Sequence, residues 1–298
     1  MRTQKLKLWL ITLIFIFAGG TRALAQTSPK PAGKENGLVL YEDFEGGSNA
    51  DGQVMTFSSS ATYHFNSHFS AGAGIPIYFD RASSSSGGTS SSGIGNAFLM
   101  LRAAWKQPVV NYGTSLLATI PTGDSNKGLS TGHATFDWDN RFDHDINRFT
   151  PFIDMGLANS VSDTRFFKHP FVSYGDLAHF EAGSDVDLSH SLSLTLSTYD
   201  IAPWGTQTVT SRLIARGAAG NPGSVRHGRV FENAHQTVGT AALTRDNGYT
   251  ASLSFSPKPY LDLSAGYSRS VDFALNTVSF GIGVNLSSLL GKAKATNQ

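Results

Sequence analysis

The sequence predicts an all-β fold, an antiparallel transmembrane β-barrel of the outer-membrane type with about 12 strands. Ten and fourteen strands are the alternatives. Three observations predict it. The chain opens on an export signal. Segments about 10 residues long then alternate apolar and polar side chains, the length of a tilted membrane strand. The connections between those segments alternate short and long.

The export signal occupies residues 1–25. Arg2, Lys5 and Lys7 form a basic start, Leu8 to Phe17 is an uncharged apolar run, and Ala23-Leu24-Ala25 is a small-x-small cleavage site. The run is short of the 20 or so residues of a membrane-spanning helix. An uncleaved anchor is the alternative reading. Cleavage after Ala25 removes Arg2, Lys5, Lys7 and Arg22 from the 23 basic residues, leaving 19 against 22 acidic ones. That balance argues against a nucleic-acid partner, which would be held by a basic surface. The chain has no cysteine, so disulfides cannot supply the stability of an exported protein. A closed hydrogen-bonded sheet can. Residues 26–35, with their Pro and Lys, read as disordered.

The strands expected in order are 36–44, 53–65, 69–79, 94–105, 109–120, 131–142, 148–158, 175–188, 191–202, 248–256, 260–270 and 276–286. The first is the weakest, because Glu42 and Asp43 interrupt its alternation. The second sets Met55, Phe57, Ala61, Tyr63 and Phe65 against Thr56, Ser58, Ser60, Thr62 and His64. The third puts Phe69, Ala71, Ala73, Ile75, Ile77 and Phe79 together, and tolerates Pro76 only at a bulge near its outer end. In 131–142, Ala134, Phe136, Trp138 and Phe142 are expected to face lipid, opposite His133, Asp137, Asp139 and Arg141. The stretch 248–256 sets Tyr249, Ala251, Leu253 and Phe255 against Thr250, Ser252, Ser254 and Ser256. The last strand sets Val278, Phe280, Ile282, Val284 and Leu286 against small polar residues. A tail, 287–298, follows.

A soluble sandwich could show the same alternation. The connections separate the two readings. Residues 66–68, 106–108, 143–147, 189–190 and 257–259 are short. Residues 45–52, 80–93, 121–130, 159–174 and 203–247 are longer, and only 271–275 is brief among its class. Short turns on one rim and long loops on the other mark an outer-membrane barrel with both termini in the periplasm. The 203–247 connection could hide two more strands around residues 235–245. Tyr63, Phe65, Phe69, Trp105, Phe142, Phe149 and Tyr260 gather beside short turns, and Phe79 and Tyr174 lie near long loops, as interfacial girdles would.

Gly93-Ile94-Gly95, Thr119-Ile120-Pro121-Thr122-Gly123-Asp124, Gly128 to Gly132, Phe149-Thr150-Pro151-Phe152 and Val278 to Gly283 carry a further likeness. Over about residues 53–286 the chain resembles the bacterial outer-membrane transporter family described as "meta-pathway of phenol degradation" proteins. These motifs are turn and rim signatures without chemistry. The resemblance implies an outer-membrane β-barrel associated with catabolic functions. The chain departs from many outer-membrane proteins in lacking a terminal aromatic residue on its last strand.

The charged residues on the polar faces are Arg102, His133, Asp137, Asp139, Arg141, Asp154, His179, Glu181, Asp185 and Asp187. In a barrel they are expected to line the lumen, because a basic charge at the lipid midplane costs about 2–4 kcal/mol and an acidic one somewhat less. Two readings of this set stand side by side: an acid-rich pore lining, or a network of ion pairs that fills the barrel.

Catalytic, cofactor and metal motifs fail on context. Gly128 to Gly132 fits G-x-S-x-G, but a loop precedes the serine and a strand follows it. Gly123 to Ser130 resembles a phosphate loop, but Leu129 stands at the lysine position and no helix follows. The nine histidines have no ligand spacing. No enzyme activity, cofactor or metal is expected. The expected function is diffusion of small solutes, hydrophobic or aromatic ones among them. The alternative is a structural or surface-binding barrel without transport. Expected partners are outer-membrane lipid, the solutes and the barrel-assembly machinery. Within the 203–247 loop, Trp204, Arg212, Arg216, Arg226, His227 and Arg229 form a basic group suited to a constriction.

Overall fold

The computed structural model describes residues 37–49, 52–82, 90–161, 171–212 and 236–295. The export signal, residues 26–35 and the Arg216, Arg226, His227 and Arg229 group lie outside the described residues.

Twelve strands close an antiparallel ring. In ring order they are β1 (Gly37–Asn49), β2 (Gly52–His64), β3 (Phe69–Ala82), β5 (Ala97–Trp105), β6 (Asn111–Ile120), β7 (Thr135–Asp143), β8 (Phe149–Ala158), β10 (Leu177–Asp187), β11 (Leu192–Pro203), β14 (Asp246–Lys258), β15 (Leu261–Ser270) and β16 (Asn276–Asn285). β1 closes the ring on β16, from Val39 opposite Asn285 to Ser48 opposite Asn276. Closure leaves no sheet edge, so every wall strand has a neighbour on both sides for its backbone groups. Each expected strand is present in the wall, within a few residues at its ends. The fold is an outer-membrane-type barrel.

The alternation of the sequence becomes the two faces of the wall. In β7, Asp137, Asp139 and Arg141 are 6%, 7% and 5% exposed, whereas Phe136, Trp138 and Phe142 are 43%, 46% and 39% exposed. The polar set points inward and the apolar set outward, because period two admits no other separation. The connections 66–68, 106–108, 143–147, 189–190 and 257–259 gather at one rim. There the side chain of Asn66 accepts the backbone N–H groups of His68 and Phe69 at 2.8 and 2.9 Å, an Asx turn that closes β2 onto β3. An aromatic belt runs along this rim. Phe69 meets Trp105 edge-on at 5.9 Å, Trp105 stacks on Tyr112 at 5.8 Å, and Tyr112 meets Phe142 at 5.2 Å. Such a row suits the water–lipid boundary.

One carboxylate breaks the apolar outer face. Glu42 shares the orientation of the exposed Leu38 and Leu40, and the Ser59 hydroxyl donates to its Oε2 at 2.6 Å. This is the interruption that weakens the first strand in sequence.

Three differences from the expected layout have local causes. β1 runs on to Asn49, paired with Gly52, so the first connection is tight rather than long. Glu45 is buried on the inner side there, so an acid in the segment does not end the strand. Ahead of β5, a short strand β4 (Ser91–Ile94) pairs with the outer end of β3. From Gly74 opposite Phe98 to Ile77 opposite Ile94, β3 advances three residues and its neighbour four. The extra residue is a β-bulge beside Pro76, which has no N–H to give. Gly95 sits in it, and a Cβ there would lie 2.3 Å from the Tyr78 ring. Finally, the first part of the tail is a helix, α1 (Leu286–Ala295), whose Ser288 N–H is capped by the Asn285 side chain at 3.0 Å.

The long connections carry a second, three-stranded sheet, with β12 (Gln207–Ser211) between β9 (Phe171–Tyr174) and β13 (Gln236–Gly239). Of the two strands expected around residues 235–245 of the 203–247 connection, the described residues show one, β13; its partner β12 lies at the start of the connection, and both stay out of the wall.

Candidate functional site: the inner wall and the outer mouth

The inward charges of β7, β8 and β10 form an ion-pair cluster around Arg141, a His179–Asp137 pair and a hydroxyl-bound Glu181. Arg141 reaches Asp185 with Nη2 at 2.7 Å, Asp154 with Nη1 at 3.4 Å and Asp143 with Nε at 3.4 Å. Its guanidinium also lies 3.8 Å over the Phe152 ring. The Thr195 hydroxyl donates to the other oxygen of Asp185 at 2.6 Å. One turn of the wall away, His179 Nε2 donates to Asp137 Oδ1 at 2.7 Å, with the imidazole fully buried. Gly156 lies beneath that ring, and a Cβ on it would come within 2.4 Å of the imidazole. Glu181 accepts from Ser197 at 2.5 Å, and Ser197 meets Thr250 at 2.6 Å. Nearer the outer rim, Tyr199 and Ser270 both donate to the buried Asp246, at 3.1 and 2.7 Å. Removing charges from bulk water costs several kcal/mol each, so partners at this density are what makes such a wall tolerable.

The remaining residues of the expected set are placed differently. Asp139 is buried on the inner side of β7, in register with Gly156 of β8. Arg102 is half-buried on β5, in register with Ser70 and Ser115, and its charge acts on His64. Asp187 ends β10 beside the short turn. The alternation does not reach His133. β7 starts at Thr135, and residues 131–134 turn instead, with Gly132 at φ 75° and the His133 N–H donating to the Thr131 hydroxyl at 3.2 Å. His133 is exposed on the outer rim and stacks on Tyr174 at 4.7 Å between centroids.

The arc formed by β14, β15 and β16 is lined otherwise. Its inward positions include Thr250, Ser252, Ser254, Ser264, Gly266, Ser268, Thr277 and Ser279. These short side chains project less into the interior than the acids and the arginine of β7, β8 and β10. Between the two arcs, β5 and β6 present Phe98, Met100 and Leu117 inward, opposite in parity to the exposed Leu99, Leu101 and Leu116.

The outer mouth is packed. Ala158, Val161, Phe171, Leu177, Tyr199, Ile201, Val209, Phe273 and Leu275 make one buried apolar cluster, which joins the small sheet to the inner wall. Val54, Tyr78 and Leu129 make a second. Arg212, just past β12, is 2% exposed and stands 3.9 Å over the Tyr78 ring. Sequence periodicity could not place it, since β12 has only five residues. Outside the spanning segments, burial and the neighbouring Asp246 push the Asp272 carboxyl up from its ordinary range, against the pull of Arg245. Among the described residues no group of three metal-ligating side chains converges, and no helix is long and apolar enough to cross a membrane.

A closed twelve-stranded barrel with a polar interior defines an outer-membrane-type β-barrel protein. Solved structures of that class are similar to this chain. One is an outer-membrane channel from Pseudomonas putida F1, at 10% identity and a TM-score of 0.59, covering 87% of this chain and 99% of that one. Another is the NanC porin, at 8% identity and a TM-score of 0.50, covering 82% and 100%. At such identities the likeness is one of fold. No family model matches the sequence, and no curated protein does.

Proposed function

We propose that the chain is an outer-membrane channel, exported with cleavage after Ala25 and inserted by the barrel-assembly machinery. It passes small solutes by passive or facilitated diffusion. The observation that carries this reading is the unequal lining of the interior. Charged side chains pair with one another along one arc, while the β14 to β16 arc carries mostly serine, threonine and glycine, whose short side chains take up less of the interior. The similar folds bear the names channel and porin, which agrees with it. The acid excess of the lining favours cations over anions in the lumen. Phe98, Met100 and Leu117 give hydrophobic or aromatic solutes an apolar surface, in keeping with the resemblance to the phenol meta-pathway family.

Purified mature protein in a planar bilayer is expected to give discrete conductance steps with cation preference. A fully inserted barrel that passes neither ions nor solutes would defeat the transport reading. It would favour the second reading, a structural or surface-binding barrel, for which the packed outer mouth speaks.

A further inference from the structure

The packed mouth is bridged from wall to wall by six residues. Val209 of β12 sits in the apolar cluster with Tyr199 and Ile201 of β11. Three residues on, about 10 Å along an extended chain, Arg212 is held against β3. In the ring of twelve, β3 and β11 are six strands apart, so the bridge joins opposite sides. At the β3 side Arg212 has several attachments. Its guanidinium faces the buried Tyr78 ring, its Nε donates to the Gly128 carbonyl at 3.0 Å, and its own carbonyl accepts from Ser91 Oγ at 3.3 Å. Asp80, on the same strand as Tyr78, is also buried, at 2% exposed. Gly128 packs on the Ser211 carbonyl so closely that a Cβ would lie 2.2 Å from it, so the 121–134 connection also touches the bridge.

A permanent plug is built more stably from apolar side chains than from a buried guanidinium, whose desolvation its partners must offset. A guanidinium set over a ring and donating to a backbone carbonyl is better suited to a contact that forms and breaks. The chain has no cysteine, so nothing covalent ties the bridge down.

We propose that Arg212 is the positioning residue that latches residues 207–212 across the outer mouth, and that its release from Tyr78 and the Gly128 carbonyl opens the channel. This rests on the channel reading above. The test compares wild type, Arg212→Ala, Arg212→Met and Arg212→Lys in planar bilayers, with heat-modifiable gel mobility reporting an intact barrel. Arg212→Met keeps the packing volume if Arg212→Ala fails to fold. Arg212→Ala or Arg212→Met is expected to raise open probability on the order of tenfold, the scale of one desolvated cation–π contact. Arg212→Lys, which keeps a charge over the ring, is expected to fall between. Conductance that is present in wild type and unchanged in these variants overturns the latch and leaves the channel intact. Silence in wild type and variants, broken only by deleting residues 206–232, likewise overturns the latch alone. Silence in that deletion as well overturns the channel reading itself.

Discussion

The two arcs of the inner wall obey the same alternation and do opposite things with it. Along β7 to β11 the inward positions hold Asp137, Asp139, Arg141, Asp154, His179, Glu181 and Asp185, nearly all buried against one another. Along β14 to β16 they hold mostly serine, threonine and glycine, with Asp262 at one end and Asp246 at the other, each paired to hydroxyl groups. Polarity alone therefore does not tell whether a barrel interior is filled or open; side-chain length and mutual pairing do. The charged arc resembles a protein core that happens to be ionic, while the small arc resembles a lining.

Breaking the charged arc is expected to give the largest effect. Arg141→Ala leaves Asp143, Asp154 and Asp185 without their shared cation. Stability is expected to fall by about 3–5 kcal/mol, as for other buried pairs that lose one partner. The measurement is the urea midpoint of unfolding from lipid vesicles. An unchanged midpoint would mean the network is wet and the arc is a lining after all. Next comes Gly156→Ala, whose methyl group would collide with the His179 ring and pull it from Asp137. Overpacking of this kind costs about 1–3 kcal/mol. The same vesicle titration reads it, and Gly266→Ala on the small arc sets the contrast, since the nearest atom there is the mobile Ser279 hydroxyl.

Glu42 sharpens the comparison from outside. It is a carboxylate with one hydroxyl partner on an apolar face, where Asp185 and Asp246 inside the barrel have two partners each. Glu42→Leu is expected to stabilise the inserted barrel by about 1 kcal/mol, below the cost of a basic residue at the midplane. A loss of stability instead would show that Ser59 and Glu42 contribute more than the lipid penalty takes.

Most of this wall was legible in sequence because period two is a local signal. Segments such as YTASLSFS and TFDWDNRF carry it without help from the rest of the chain, whereas Glu42 and Asp43 blur it in the first strand. What was not legible depends on contacts between distant segments. β9, β12 and β13 have four or five residues each, too few to show a period, and they pair across gaps of more than 20 residues. Arg212 read as one member of a basic loop group, yet its burial comes from Tyr78 and Gly128, far off in sequence. His133 went astray for the converse reason. Its parity matches that of Asp137, but Gly132 and the Thr131 hydroxyl turn the chain before the strand begins. Which residues form a network, and which stand apart, follows from register rather than from composition.

The smallest effect on stability should accompany a clear one on conductance. Ser252 faces inward on β14, flanked in register by Thr195 on β11 and Gly266 on β15, both small. If this arc borders open lumen, Ser252→Trp finds room for its ring at little cost, within ~0.5 kcal/mol of wild type. The indole then occupies width that solutes would use, and single-channel conductance falls. If the arc is packed like its opposite, the same substitution overfills it, and stability falls by about 1–3 kcal/mol. The two measurements together, urea midpoint and unit conductance, therefore assign the arc: an unchanged midpoint with reduced conductance marks a lining, and a lowered midpoint marks a core.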